Sequence, residues 1–157
     1  MKNVPSIIIG FVIGMLVAGI LGWMMAPGLM LKETRSPYTA EKTVEAIQAS
    51  AKSRGWVIPS ITPLHKSIKK HTGKDLPPIY LVNICKGEYA YNILKEDQNK
   101  IVSVFMPCTI SVYEKTDGHA YIGNMNAGLL GKMFGGTVAE IMGNKVADDQ
   151  QVFISME

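Results

Sequence analysis

From Ile7 to Met25 the chain carries no charged residue, only Ile, Val, Leu, Met, Phe, Gly and Ala with one Trp. At 1.5 Å rise per residue such a run just crosses a ~30 Å hydrocarbon core. Trp23 suits a headgroup interface, and Pro27-Gly28 is expected to end the helix. The run exceeds the h-region of a cleavable signal peptide, and no small-x-small cleavage site follows it. The expectation is an uncleaved, single-pass signal anchor over residues 1–30, with the membrane as first partner. Lys2 on one side and Lys32 and Arg35 on the other leave the positive-inside rule undecided. Anchors of this kind commonly leave the following domain outside the cytoplasm. The expected location is therefore the inner membrane, with the domain facing the oxidising periplasm or exterior.

Within that helix Gly10, Gly14, Ala18 and Gly22 fall four apart and line one stripe. Small residues at this spacing let a second helix approach closely, so another transmembrane helix or a second copy of the chain is the expected neighbour.

The 157-residue chain has room for one domain beyond the anchor. Residues 31–37 read as a linker, 38–125 as an α+β core and 126–157 as a glycine-rich helical tail, packed on the domain, a partner or the membrane. Thr39 caps a helix with apolar positions Ala40, Val44, Ile47 and Ala51, closed by Gly55. A strand over residues 56–61 and a helix from Pro63 to Gly73 follow. Ile79–Cys85 is a strong strand, and a helix over 88–96 comes next. Ile101–Met106 reads as a strand interrupted by Pro107. Cys108–Glu114 and His119–Met125 alternate around Asp117-Gly118, a hairpin signal. A two-residue loop sets Val112 opposite Gly123 and Ile110 opposite Met125, which places Cys108 and Met125 on one face of the sheet.

In the tail, Gly131 and Gly135 belong to a second stripe of small residues with spacing four. Glycine costs ~1 kcal/mol relative to alanine inside a helix, so these positions imply a close approach or a hinge.

The net charge of +3 is small, and no basic stripe with stacking aromatics concentrates it, so no nucleic-acid partner is expected. No phosphate loop, nucleophile elbow or Cys-x-x-Cys-His is present, so no catalytic residue is assigned and an enzyme is not expected. The chemistry-bearing residues are the two cysteines, one ending a strand and one beginning another. Cys85 and Cys108 can be a disulfide pair, worth about 3 kcal/mol by chain entropy. With Met125 they can instead be a soft-metal site, two thiolates and a thioether matching Cu(I). Copper is thus the first cofactor candidate and haem the runner-up. The expected function is an anchored accessory or binding protein that holds a soft metal or docks on a membrane complex. The alternative is a redox carrier, working by thiol–disulfide exchange or by noncovalent haem.

The runs Asn83-Ile84-Cys85-Lys86-Gly87-Glu88-Tyr89-Ala90, Met106-Pro107-Cys108, Val112-Tyr113-Glu114 and Met125-Asn126 occur in this order. Together they make residues 36–146 resemble the family known as domain of unknown function 302. The resemblance implies a compact α+β fold with an antiparallel sheet and helices packed on it, often as a dimer, and implies no activity. Where members carry Pro two residues after the first cysteine, this chain has Gly87, a departure at the local turn.

Overall fold

The computed structural model describes residues 4–156. Chain order is α1 (Val4–Met30), β1 (Leu31–Arg35), α2 (Ala40–Ser53), β2 (Val57–Pro63), α3 (Leu64–Thr72), β3 (Ile79–Cys85) and α4 (Gly87–Leu94). A 3-10 segment (Asp97–Phe105), β4 (Cys108–Glu114), β5 (Ala120–Met125), α5 (Ala127–Phe134) and α6 (Gly136–Glu140) come next. A π-helical turn (Ile141–Val146) and α7 (Ala147–Ile154) end the chain. The five strands form one antiparallel sheet in the order β1-β5-β4-β3-β2, so the fold is α+β.

Period-two alternation divides the sheet into two unlike faces. Val82, Ile84, Ile110, Val112 and Ile122 point to one face and are fully buried, with α2 across it. The stripe Ala40, Val44, Ile47 and Ala51 of α2 supplies the opposing layer. Thr39 Oγ1 accepts the Lys42 N–H at 3.4 Å as the helix cap. The other face carries polar and aromatic residues tied to one another. Thr109 donates to Asn83 at 2.7 Å, Asn83 donates to Ser60 at 2.8 Å, and Tyr113 donates to Glu33. At the outer edge the β2–β3 ladder slips between Val57 and Ser60, around Pro59.

The membrane-spanning part of the expected architecture is corrected. Among the described residues no helix is long and apolar enough to cross a membrane. The transmembrane signal anchor is withdrawn. Pro27 lies inside α1, which continues to Met30 rather than stopping there. At Gly10, Gly14 and Gly22 an added Cβ would have none of the described atoms outside its own helix turn within 4 Å, so these three positions pack on no other described element. Ala18 beside them is exposed.

Three local expectations also change. The linker is strand β1, an exposed edge paired with β5. Residues 101–106 are not a strand: most of them belong to the 3-10 segment, where Val102 is buried but Ile101 and Val104 are exposed. The hairpin loop is one residue longer than a two-residue turn. Glu114 pairs with Ala120 and Lys115 N donates to His119 O at 3.1 Å, while Gly118 takes φ +76°. This is the three-residue loop with glycine in the left-handed region. Val112 therefore faces Ile122 and Ile110 faces Asn124, a one-residue slip that exchanges the faces of β5.

The tail folds back in pieces. Gly135 (φ +69°) and Gly136 (φ +51°) make the bend between α5 and α6. Gly131 lies against the π-helical turn, where an added Cβ would stand 2.7 Å from Gly143 Cα. Both explanations of the glycines thus hold, at different residues. Finally α7 packs on α2 and presents Asp149 to the domain. Its carboxylate accepts from Arg54 Nη1 at 2.9 Å and from Trp56 Nε1 at 2.9 Å, with Lys86 Nζ at 3.8 Å.

Two stability outcomes follow from these contacts. Gly131→Ala should lower unfolding free energy by about 1–3 kcal/mol, because backbone rather than a flexible side chain blocks the methyl group. Gly14→Ala should leave stability unchanged or slightly raised; urea unfolding of both variants checks the contrast. Asp149→Ala should cost about 1–3 kcal/mol, since it leaves the buried Trp56 N–H without its acceptor. A thermal midpoint equal to wild type would show that this carboxylate does not hold α7.

Candidate functional site

Cys85 is the last residue of β3 and Cys108 the first of β4. Ile84 pairs with Cys108 across the ladder, so the two cysteines occupy adjoining strand ends. Neither is in a disulfide. Both line one small cavity of about 30 Å³, room for a single water-sized species. Its walls are Trp56 and Ile84 from the sheet side, Tyr89 and Ile93 of α4, Phe105 and Val146. Lys86, at the β3–α4 junction, stands at the rim with its ammonium 4.4 Å from the Tyr89 ring centroid. It donates to the Tyr89 hydroxyl at 3.4 Å.

Local sequence explains the position. β3 ends where Gly87 opens α4, so Cys85 sits between a strand and a helix start. Pro107 separates the 3-10 segment from β4, so Cys108 begins its strand beside Met106. Burial pushes the Cys108 thiol up to about 11, and the neighbouring Cys85 thiol adds to the rise. A buried thiolate without a cation is costly in such a wall.

Met125 does not join them. The longer hairpin loop puts it on the opposite face from Asn124, opposite Leu31, where it lines an open groove with Glu33, Thr109, Ser111 and Tyr113. Two other methionines stand where it was expected: Met106 and Met142 both line the cysteine cavity. Met106 was legible as the residue beside Pro107 and Cys108. Met142 comes from the π-helical turn, and only the folding-back of the tail brings it near. Gly131 and Gly135 serve the tail itself and do not reach the cavity.

The histidines are engaged elsewhere. His65 Nδ1 accepts the Ile79 N–H at 3.1 Å, His71 Nδ1 bonds the Ser67 carbonyl at 2.8 Å, and His119 Nε2 accepts from Arg35 at 2.8 Å. Among the described residues no group of three His, Cys, Asp or Glu is placed to hold a metal ion. A structural zinc site wants four thiolate or imidazole ligands, and among the described residues lining the cavity only the two cysteines are of those types.

Residues 32–155 match the family described as domain of unknown function DUF302. A search of the curated proteins finds no match. Among solved structures, the chain is similar to an uncharacterized conserved DUF302 protein from Bacillus stearothermophilus. The TM-score is 0.69 at 18% identity, covering 80% of this chain and 96% of that one. At that identity the likeness concerns the fold, and the family match spans most of the sequence. The chain belongs to the DUF302 family.

Proposed function

We propose that this domain is a binding module for one soft monovalent metal ion, Cu(I) by its chemistry, with Cys85 and Cys108 as the thiolate ligands. The observation that carries the reading is the meeting of two free thiols in one apolar cavity of single-ion size. Thiolates select soft cations, and the low polarity around them strengthens their attraction to a bound charge. Lys86, which lines the cavity and also faces Asp149 at 3.8 Å, sets a positive charge beside the surplus negative charge of a monovalent ion held by two thiolates. The reading is one of binding, with no reaction assigned.

The redox alternative has less support. A cavity of about 30 Å³ has no space for a haem macrocycle. A thiol held near 11 is almost wholly protonated at neutral pH, which suits neither attack on a disulfide nor release from one.

Anaerobic titration of the reduced full-length protein with Cu(I), against a colorimetric Cu(I) chelator, tests the proposal. One equivalent should bind to wild type, and Cys108→Ser should lose at least about tenfold in affinity. Equal binding by both proteins would overturn the assignment.

Alkylation of Cys108 gives a separate check. The thiolate reacts and the thiol does not, so the rate should climb about tenfold per pH unit through 9 and level off only near 11. A plateau below pH 8 would mean that Cys108 is an activated thiol, favouring the redox alternative.

A further inference from the structure

We propose that Met106 and Met142 complete the ligand set around the cysteine cavity, making a four-sulfur site in which the π-helical turn delivers the fourth ligand. This rests on the reading of Cys85 and Cys108 as metal ligands and names their partners.

The four sulfur residues come from four places. Cys85 ends β3, Cys108 begins β4, Met106 follows the 3-10 segment, and Met142 lies in the turn Ile141–Val146. All four line the same cavity, whose other walls are hydrocarbon and aromatic apart from Lys86 and the Tyr89 hydroxyl. Met142 is 3% exposed, so it is a wall residue of the interior and not a surface methionine.

The π-helical turn is the second observation. π-helical turns are rare, occur mostly as single turns, and gather at functional sites because they redirect side chains that an α-helix would carry elsewhere. Here the segment is fixed from behind. Gly131 and Gly143 permit backbone-to-backbone approach of α5, which holds the turn against the domain. Ile141, Met142, Gly143 and Val146 are buried within it, and Met142 and Val146 reach the cavity. Val146 contributes only packing, whereas Met142 contributes a donor atom.

Charge accounting favours thioethers as the additional ligands. Two cysteine thiols binding Cu(I) release two protons to solvent and leave a complex of charge minus one. With Lys86 beside the cavity and the Arg54–Asp149 pair behind it, the four charges sum to zero. Thioethers are uncharged, so they raise the coordination number without burying further charge. They also bias the choice of ion. Thioether sulfur is a soft donor suited to Cu(I), while structural zinc is held by thiolate and imidazole. The site should therefore prefer Cu(I) or Ag(I) to Zn(II).

The test uses reduced full-length protein and Cu(I) under anaerobic chelator competition, with Met106→Leu, Met142→Leu and Met125→Leu. Methionine to leucine is close to volume-conserving, so the fold is expected to survive. Each of the first two should weaken Cu(I) binding by at least about tenfold, and Met125→Leu should match wild type. X-ray absorption of the Cu(I)-loaded wild type counts sulfur neighbours and needs no variant to fold; more than two are expected. Two-coordinate copper, or undiminished binding by Met106→Leu and Met142→Leu, would overturn the four-sulfur site while leaving the two-cysteine reading intact. Absence of Cu(I) binding by wild type, or binding indifferent to Cys108→Ser, would bring down both.

Discussion

A buried carboxylate holds the two ends of this domain together. Asp149, on the last helix, accepts from Arg54 at the end of α2 and from Trp56 at the entrance to β2. Trp56 in turn packs edge-on against Phe153, 5.5 Å between ring centroids, and against Tyr89 of α4 at 5.9 Å. A carboxylate removed from water is tolerated only where donors replace the lost hydration. Trp56 and Arg54 do so, and Lys86 adds a cation nearby. The position of α7, the packing of α2 and the orientation of α4 all depend on this one group being satisfied.

The cysteine cavity inherits its shape from the same contacts. Trp56, Lys86 and Tyr89 belong to the Asp149 cluster and also line the cavity, so its wall is set from the far side by the tail. The sheet supplies the thiols; the tail, which begins after the last strand, adds Met142 and Val146 to the wall. A truncation inside the tail would open the cavity even where every strand remained in place.

What could be read from the sequence follows the range of each interaction. The inner face of α2, its Thr39 cap and the left-handed Gly73 that stops α3 are local effects, and the structure bears them out. β1 was invisible because Leu-Lys-Glu-Thr-Arg has no apolar alternation; its partner β5 lies some ninety residues away. Ile101, Val102 and Val104 suggested a strand through their β-branching, yet only Val102 has a core to enter. The strand-end positions of the two cysteines were legible in the sequence, and the structure lines one cavity with both. Met125 was misplaced by a single loop residue, since a period of two turns a one-residue slip into a change of face. Met142 could not be found at all from spacing, because a π-helical turn and a glycine contact bring it in. The uncharged N-terminal run suggested a span by composition, and the described part of α1 does not bear that out.

The irregularity in β2 has a consequence for how copies of this chain meet. A flat outer strand offers unpaired N–H and C=O groups to any strand that drifts past, and is a template for sideways sheet growth. Here the outer strand on one side carries Pro59 within a ladder slip and ends at Pro63, so it presents no continuous row of donors. On the other side, β1 is short, fully exposed and charged at Lys32, Glu33 and Arg35. Neither margin invites a sixth strand, and the five-stranded sheet is self-limiting without a barrel to close it.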